Sequence, residues 1–379
     1  MDFSLNEDQR AIQDMARAFT ADKITPHAHV WDEEKTWPAD VARAAGELGF
    51  GSIYVSEEGG GCGLGRTDSV LVFEQLAQGC PSTAAMISIH NMSTWMIDEF
   101  GNTDQRQRFV SDLVAFDKMA SYCLTEPGAG SDAASLKTKA VRDGDDYVLN
   151  GAKAFISGGG TSDIYVVMAR TSEGGARGIS CFIVEKDTPG LSFGAQEKKL
   201  GWHSQPTCAV MFDDCRIPAA NLVGAEGQGF KIAMAGLDGG RLNIGACSLG
   251  GAQRALDEAV AYTKDRKQFG QRIADFQATQ FKLADMATEL EAARLMLYSA
   301  AQKVSNGLPG ASAAAAMAKR LATDTGFDVT NSALQLFGGY GYLQDYPIER
   351  ILRDLRVHQI LEGTNEIMRV VISREILKD

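Results

Sequence analysis

The order of hydrophobic textures along the chain constrains its fold more than any single residue does. Up to about residue 118, and again from Gly227 onward, apolar residues recur at helical spacing. Between 119 and 226 they gather instead into short β-prone runs cut by Gly, Asp and Pro, as in VRDGDDYVLNG. The first stretch carries an apolar i, i+3, i+4 pattern through Ile12, Met15, Ala16 and Phe19, then helical segments near 41–48, 67–76, 84–99 and 103–113. A glycine-dense loop, EEGGGCGLG at 57–65, interrupts them. The middle stretch predicts strands at 119–125, 147–149, 164–169, 179–185 and 209–212. The last predicts long helices at 228–264, 278–305, 311–336 and 366–378, rich in Ala, Leu and Met, which suit a bundle whose apolar faces favour self-association. A helical, β, helical order does not fit a doubly wound parallel sheet. The expected architecture is α+β and mainly α: an all-α N-terminal domain (1–118), a compact antiparallel, barrel-like β domain (119–226) and a C-terminal four-helix-bundle domain (227–379).

Charge and cysteine usage narrow the function classes. A net charge of −12 argues against broad binding to a phosphate backbone and so against nucleic acid, while leaving room for a local basic site. The opening MDFSLNEDQRAIQ has neither the basic start of a secretory signal nor the Arg/Ser bias of a transit peptide, and no apolar run reaches membrane-spanning length. Seven scattered cysteines without a CxxC predict reduced thiols, no zinc or other metal site, and a cytoplasmic setting.

Four motifs can carry chemistry, each with a plain structural alternative. SYCLTEPGAGSD (121–132) ends a predicted strand in a glycine-rich turn whose N–H groups, with the hydroxyls of Thr125 and Ser131, can face a phosphate or a polar heterocycle edge; a decorated hairpin would look the same. It is neither GxGxxG nor GxxxxGK[ST]. In NGAKAFISGGG (150–160), Phe155, Ile156 and Ser157 can set an aromatic wall and a hydroxyl against a flat ring, or simply form a half-buried strand. In DRKQFGQRIADFQATQ (265–280), Arg266 is a candidate pyrophosphate clamp or a solvated turn residue. In LQLFGGYGY (334–342), Gly338 and Gly339 allow close backbone approach, or cap a helix. Near the C-terminus Glu362 follows the apolar pair Ile360-Leu361 and precedes Gly363 and Thr364, a good helix N-cap. A carboxylate in that position is poorly solvated, which raises its pKa and strengthens it as a base toward carbon acids; by position alone it is also an ordinary loop glutamate.

Taken together and in order, TEPGAGSD, FIS, RKQFG, QLFGGYGY and EGTNEIMR resemble the signature run of the acyl-CoA dehydrogenases, and the likeness spans essentially the whole chain. SIHNMSTWMIDEFGN, KKLGWHSQPT and RVHQILEGTNEIMR narrow it to the branch acting on isobutyryl-CoA in valine degradation. The resemblance implies FAD-dependent α,β-dehydrogenation of a short branched acyl-CoA, with Glu362 as the base and electrons passed to an electron-transfer flavoprotein. It also implies that the backbone N–H of Glu362, with a ribityl hydroxyl of FAD, holds the thioester oxygen. Tyr122, Cys123, Leu124, Thr125, Gly130 and Ser131 would line the isoalloxazine on one side and Phe155, Ile156 and Ser157 on the other. Arg266, Phe269, Phe276, Gln277, Gln335, Leu336, Gly338 and Gly339 would reach the FAD of a neighbouring subunit in a homotetramer. Thr364, Asn365 and Glu366 would contact the adenine-side portion. Ser131, the segment Asp238-Gly239-Gly240-Arg241, Gly363 and Arg374 would contact the substrate, the arginines pairing with CoA phosphates, and Met86–Ser93 with Tyr340-Gly341-Tyr342 would wall the acyl pocket. Many relatives carry Trp and Thr where this chain has Phe155 and Ser157, which leaves the route of flavin re-oxidation open. Other short-chain acyl-CoAs, an oxygen-using acyl-CoA oxidase, and a DNA-associated member of the same fold are the competing readings. The length and the acidic balance weigh against the last two.

Overall fold

The computed structural model describes residues 4–378. The N-terminal part contains helices α1 (Glu7–Phe19), α2 (Ala28–Glu34), α3 (Ala39–Glu47), α4 (Arg66–Gly79), α5 (Pro81–Phe100), α6 (Thr103–Gln105) and α7 (Ser111–Val114). Asn6 starts α1 with a reciprocal cap: its side chain accepts from the Gln9 N–H while the Gln9 side chain accepts from the Asn6 N–H. The strands are β1 (Ala120–Cys123), β2 (Lys139–Asp143), β3 (Asp146–Ser157), β4 (Ile164–Arg170), β5 (Ile179–Glu185), β6 (Leu191–Phe193), β7 (Thr207–Pro218) and β8 (Leu222–Val223). Helices α8 (Gly229–Asp265), α9 (Gln277–Ser305), α10 (Ala311–Phe337), α11 (Ile348–Arg356) and α12 (Asn365–Ile376) complete the chain. No helix among the described residues is long and apolar enough to cross a membrane.

The sheet is mixed rather than purely antiparallel. Its order is β6-β7-β3-β2-β4-β5-β8, and β1 joins the far end of β4. β4 pairs in parallel with β2 at Lys139↔Arg170 and with β1 over Ala120–Cys123 against Ile164–Val167. The β2–β3 hairpin lies between β1 and β4 in sequence, so the chain returns to β4 by a crossover, which permits the parallel direction. Periodicity missed β2, β6 and β8, because β2 is mostly exposed and the other two are only three and two residues long. It also missed α11, a nine-residue helix dense in charge.

The two helical regions share one core. Val70, Phe73 and Leu76 of α4 pack in the same cluster as Leu242, Ala246 and Leu249 of α8 and Leu290, Ala293 and Leu297 of α9. Helix α8 runs between the N-terminal helices and α9–α10, and its glycines let backbones touch: a Cβ on Gly250 would stand 2.1 Å from the Glu74 carbonyl oxygen. All seven cysteines are unpaired.

Candidate active site

A short turn after α11 (Val357–Gln359) leads into a loop that α12 closes, and this loop carries Glu362. Thr364 caps α12 through its hydroxyl, as its position predicts. Glu362 and Gly363 both sit in the left-handed region, with φ of 56° and 87°. Two buried cations hold this backbone. Arg241 Nε donates to the Glu362 carbonyl at 3.3 Å, and Lys319 Nζ donates to the Gly363 carbonyl and to Asn365 Oδ1, both at 2.9 Å. The Glu362 N–H meets no acceptor among the described residues.

The Glu362 carboxylate lies against Gly240 of α8, where a Cβ would come within 2.6 Å of Oε2. The residue keeps a partly exposed edge, yet Oε2 is enclosed and has no hydrogen-bond partner. Burial pushes its carboxyl up to about 7, against the opposing pull of Arg241 and Lys319. Burial in turn lowers Lys319 to about 8, with Glu362 pulling it back up. The Glu362 carboxyl is therefore held near neutrality by its burial.

A second group gathers at the end of β1. Lys153 of β3 is fully buried and donates to the Leu124 carbonyl (3.1 Å) and to Glu126 Oε1 (2.7 Å). Glu126 also accepts the N–H groups of Lys137 and Thr138. This ties the TEPGAGSD loop to β3, as does Ala154 N–H to Thr125 O at 2.9 Å. The next residue, Phe155, is thrown outward by a bulge between Lys153 and Ile156; its φ is 59° and it is 66% exposed. The Thr125 and Ser131 hydroxyls meet no protein partner among the described residues, and Cβ atoms on Gly128 or Gly130 would enter open space. Ser157 Oγ accepts from Gln205. Cys123 and Ile156 are buried in the sheet core, so only their backbones can face a ligand.

A third group lies apart from these. Tyr262, Arg266, Gln268, Ile273, Gln335–Tyr340 and Leu343 line a groove of about 510 Å³. Arg266 sits 5.3 Å over the Tyr340 ring, while Phe269 is almost fully exposed and packs edge-on to Phe276. Tyr340 lines this groove and packs edge-on against Tyr346. Met92 does approach the Glu362 region, at Gly236 of α8.

Several expected ligand residues have protein partners instead. Arg241 is buried and bonded to Asp238 and to the Glu362 carbonyl, so its guanidinium holds the Glu362 loop. Asp238 is engaged with Arg241 and Ser312. The Asn365 amide is buried among Lys319, Thr323 and Asp324, which leaves it unable to reach a cofactor edge. Arg374 and Glu366 are exposed on α12, and Gln277 opens α9. The sequence reading placed Gly240 in a substrate-contact segment rather than against the carboxylate, and it gave no role to Lys319 or Lys153. Lys153 alone left a signal, a charge inside an otherwise apolar strand segment.

Comparison with known proteins decides the family. Models described as the acyl-CoA dehydrogenase N-terminal, middle and C-terminal domains match residues 6–117, 121–215 and 227–377. The chain belongs to the acyl-CoA dehydrogenase family. It is 59% identical to the mitochondrial isobutyryl-CoA dehydrogenase of Dictyostelium discoideum, over 99% of this chain and 90% of that one. The Bos taurus protein of the same name is 55% identical, with the same coverage of both chains. The solved butyryl-CoA dehydrogenase of Megasphaera elsdenii superposes with a TM-score of 0.97 at 40% identity, covering all of both chains. This acyl-CoA dehydrogenase is thus an oxidoreductase of a flavoprotein family.

Proposed function

We propose that the protein oxidises isobutyryl-CoA to methacrylyl-CoA, with FAD as cofactor, Glu362 as the base and an electron-transfer flavoprotein as electron acceptor, and that it works as a homotetramer. The observation that carries this reading is the enclosed, unpartnered carboxylate of Glu362, raised to about 7, beside a backbone N–H without an acceptor. A base near the working pH has the right strength to take a weakly acidic α-proton, and the free N–H can hold a thioester oxygen as charge develops on it. The identity to named isobutyryl-CoA dehydrogenases supports the acyl group.

The β1 end suits the flat ring of FAD: two unpaired hydroxyls, open space before Gly128 and Gly130, and an outward aromatic at Phe155. Thr125 and Ser131 would meet its polar edge and Phe155 and Ser157 its other side. The groove at Arg266 and Gln335–Gly339 would take the FAD of a neighbouring subunit. When bound, FAD supplies the acceptor for the β-hydride. Arg241 and Lys319 hold the Glu362 loop in its left-handed turn, and Gly240 leaves room for the carboxylate. The test is anaerobic bleaching of the flavin by isobutyryl-, 2-methylbutyryl-, butyryl- and isovaleryl-CoA. Fastest bleaching with isobutyryl-CoA is expected; no bleaching by any member of the panel would overturn the reading.

A further inference from the structure

One buried charge near Glu362 has no place in the mechanism above. Arg66 opens α4 and is only 7% exposed. Its guanidinium carbon lies 3.6 Å from the Tyr54 ring centroid and 4.8 Å from that of Trp95. Nη1 has no hydrogen-bond partner, and no carboxylate among the described residues comes within ion-pair distance. No ion pair accounts for a side chain of this size against the glycines of α8, so the bulk that Arg66 places there calls for an explanation in function.

Its surroundings supply one. Helix α8 presents three glycines toward this region. A Cβ on Gly236 would meet Met96 Sδ at 2.9 Å, one on Gly239 would meet Arg66 Nη1 at 2.4 Å, and one on Gly240 would meet Glu362 Oε2 at 2.6 Å. Gly236 and Gly240 are one turn apart and share a helix face, with Gly239 at its margin. This side-chain-free face is thus bordered by Met92 and Met96 of α5, by the guanidinium of Arg66 and by the carboxylate of Glu362. The Tyr54 ring, stacked on Arg66, feels the Glu362 charge as well. Arg66 is held in place by both rings and, through its backbone N–H, by Ser305 Oγ at 2.7 Å.

We propose that Arg66 is a specificity-determining residue: its guanidinium, packed into the corner of the Tyr54 and Trp95 rings, closes the glycine face of α8 beside Glu362 and limits the acyl group to a short one. This rests on the reading of Glu362 as the base. An acyl group whose α-carbon meets Glu362 lies beside Gly240, and a longer chain needs the space that Arg66 fills at Gly239.

The test uses the FAD-loaded protein, wild type against Arg66→Ala and Arg66→Met, in anaerobic bleaching by isobutyryl- and hexanoyl-CoA. For Arg66→Ala the ratio of hexanoyl to isobutyryl bleaching efficiency is expected to rise at least about tenfold, the scale on which pocket length discriminates methylenes. Arg66→Met keeps the bulk without the charge and is expected to retain the wild-type ratio. An unchanged ratio in Arg66→Ala overturns the proposal, as does an equal rise in Arg66→Met. Calorimetric affinity for the unreactive thioether S-hexyl-CoA needs no turnover; a gain of about tenfold is expected in Arg66→Ala, and no gain overturns the proposal. If wild type is bleached by no acyl-CoA, the Glu362 reading fails while the thioether affinity still judges Arg66. Should Arg66→Ala not fold, Arg66→Val, which also removes most of the bulk, must show the same shift at reduced size, and its absence there counts against the proposal equally.

Discussion

Lys153 and Arg66 are both buried cations, and the protein treats them in opposite ways. Lys153 meets the Leu124 carbonyl and Glu126, and Glu126 is completed by the N–H groups of Lys137 and Thr138. Burial pushes the Lys153 ammonium down and Glu126 opposes that; burial would raise the Glu126 carboxyl, but Lys153 and the hydrogen bonds bring it below its ordinary value. Around Glu362 the pairing is deliberately incomplete in its outcome: Oε2 and Arg66 Nη1 have no partners, while Arg241 and Lys319 give hydrogen bonds to loop carbonyls rather than to the carboxylate. Satisfied charge holds the TEPGAGSD loop in place. On the proposed reading, the unpaired Glu362 carboxylate is where chemistry takes place, because a fully paired Glu362 would be too weak a base.

The contrast can be broken from either side. Lys153→Met leaves Glu126 buried alone and is expected to lower stability by about 3–5 kcal/mol, read by denaturant unfolding; adding Glu126→Gln should restore part of it. A loss under about 1 kcal/mol would place the pair with exposed salt bridges instead. Glu362→Gln should act in the other direction. The folded carboxyl titrates near 7 and the unfolded one near the ordinary 4.5, so folding retains a proton between those values and this group costs stability as pH rises through them. The cost is complete above pH 7 and absent below 4.5. The variant should therefore be more stable at pH 8, by up to about 3 kcal/mol, and equal to wild type near pH 4.5; equal stability at both would remove the desolvation argument. Gly240→Ala sharpens the geometry. Its methyl would displace the carboxylate and is expected to slow bleaching about a hundredfold, with a much smaller change in unfolding midpoint. The smallest effect is at the cap: Thr364→Ala should cost about 1 kcal/mol of stability.

Local features of this site were legible in the sequence, and distant contacts were not. Thr364 as a cap, the loop before α12 and the long helices follow from residue type and periodicity. The likeness to a family then gave Glu362 its role. The contacts that enclose Glu362 join it to Gly240 and Arg241, more than a hundred residues earlier, and no spacing rule reaches that far. Arg241 read as a phosphate partner through the family resemblance, on an otherwise acidic protein; its burial against Asp238 is a tertiary fact. Phe155 read either as an aromatic wall against a flat ring or as part of a half-buried strand, and the bulge between Lys153 and Ile156 that turns it outward left no trace in the alternation of residue types.

The central claim is that Glu362 takes the α-proton from a desolvated state near neutrality. Rapid-mixing measurement of anaerobic bleaching by isobutyryl-CoA, across pH 6–9 for wild type and Glu362→Gln, tests it directly. The wild-type rate should climb with pH and level off above a midpoint near 7, and the variant should bleach at least about a thousandfold more slowly while still binding FAD and acyl-CoA. Bleaching of Glu362→Gln at the wild-type rate would contradict the account.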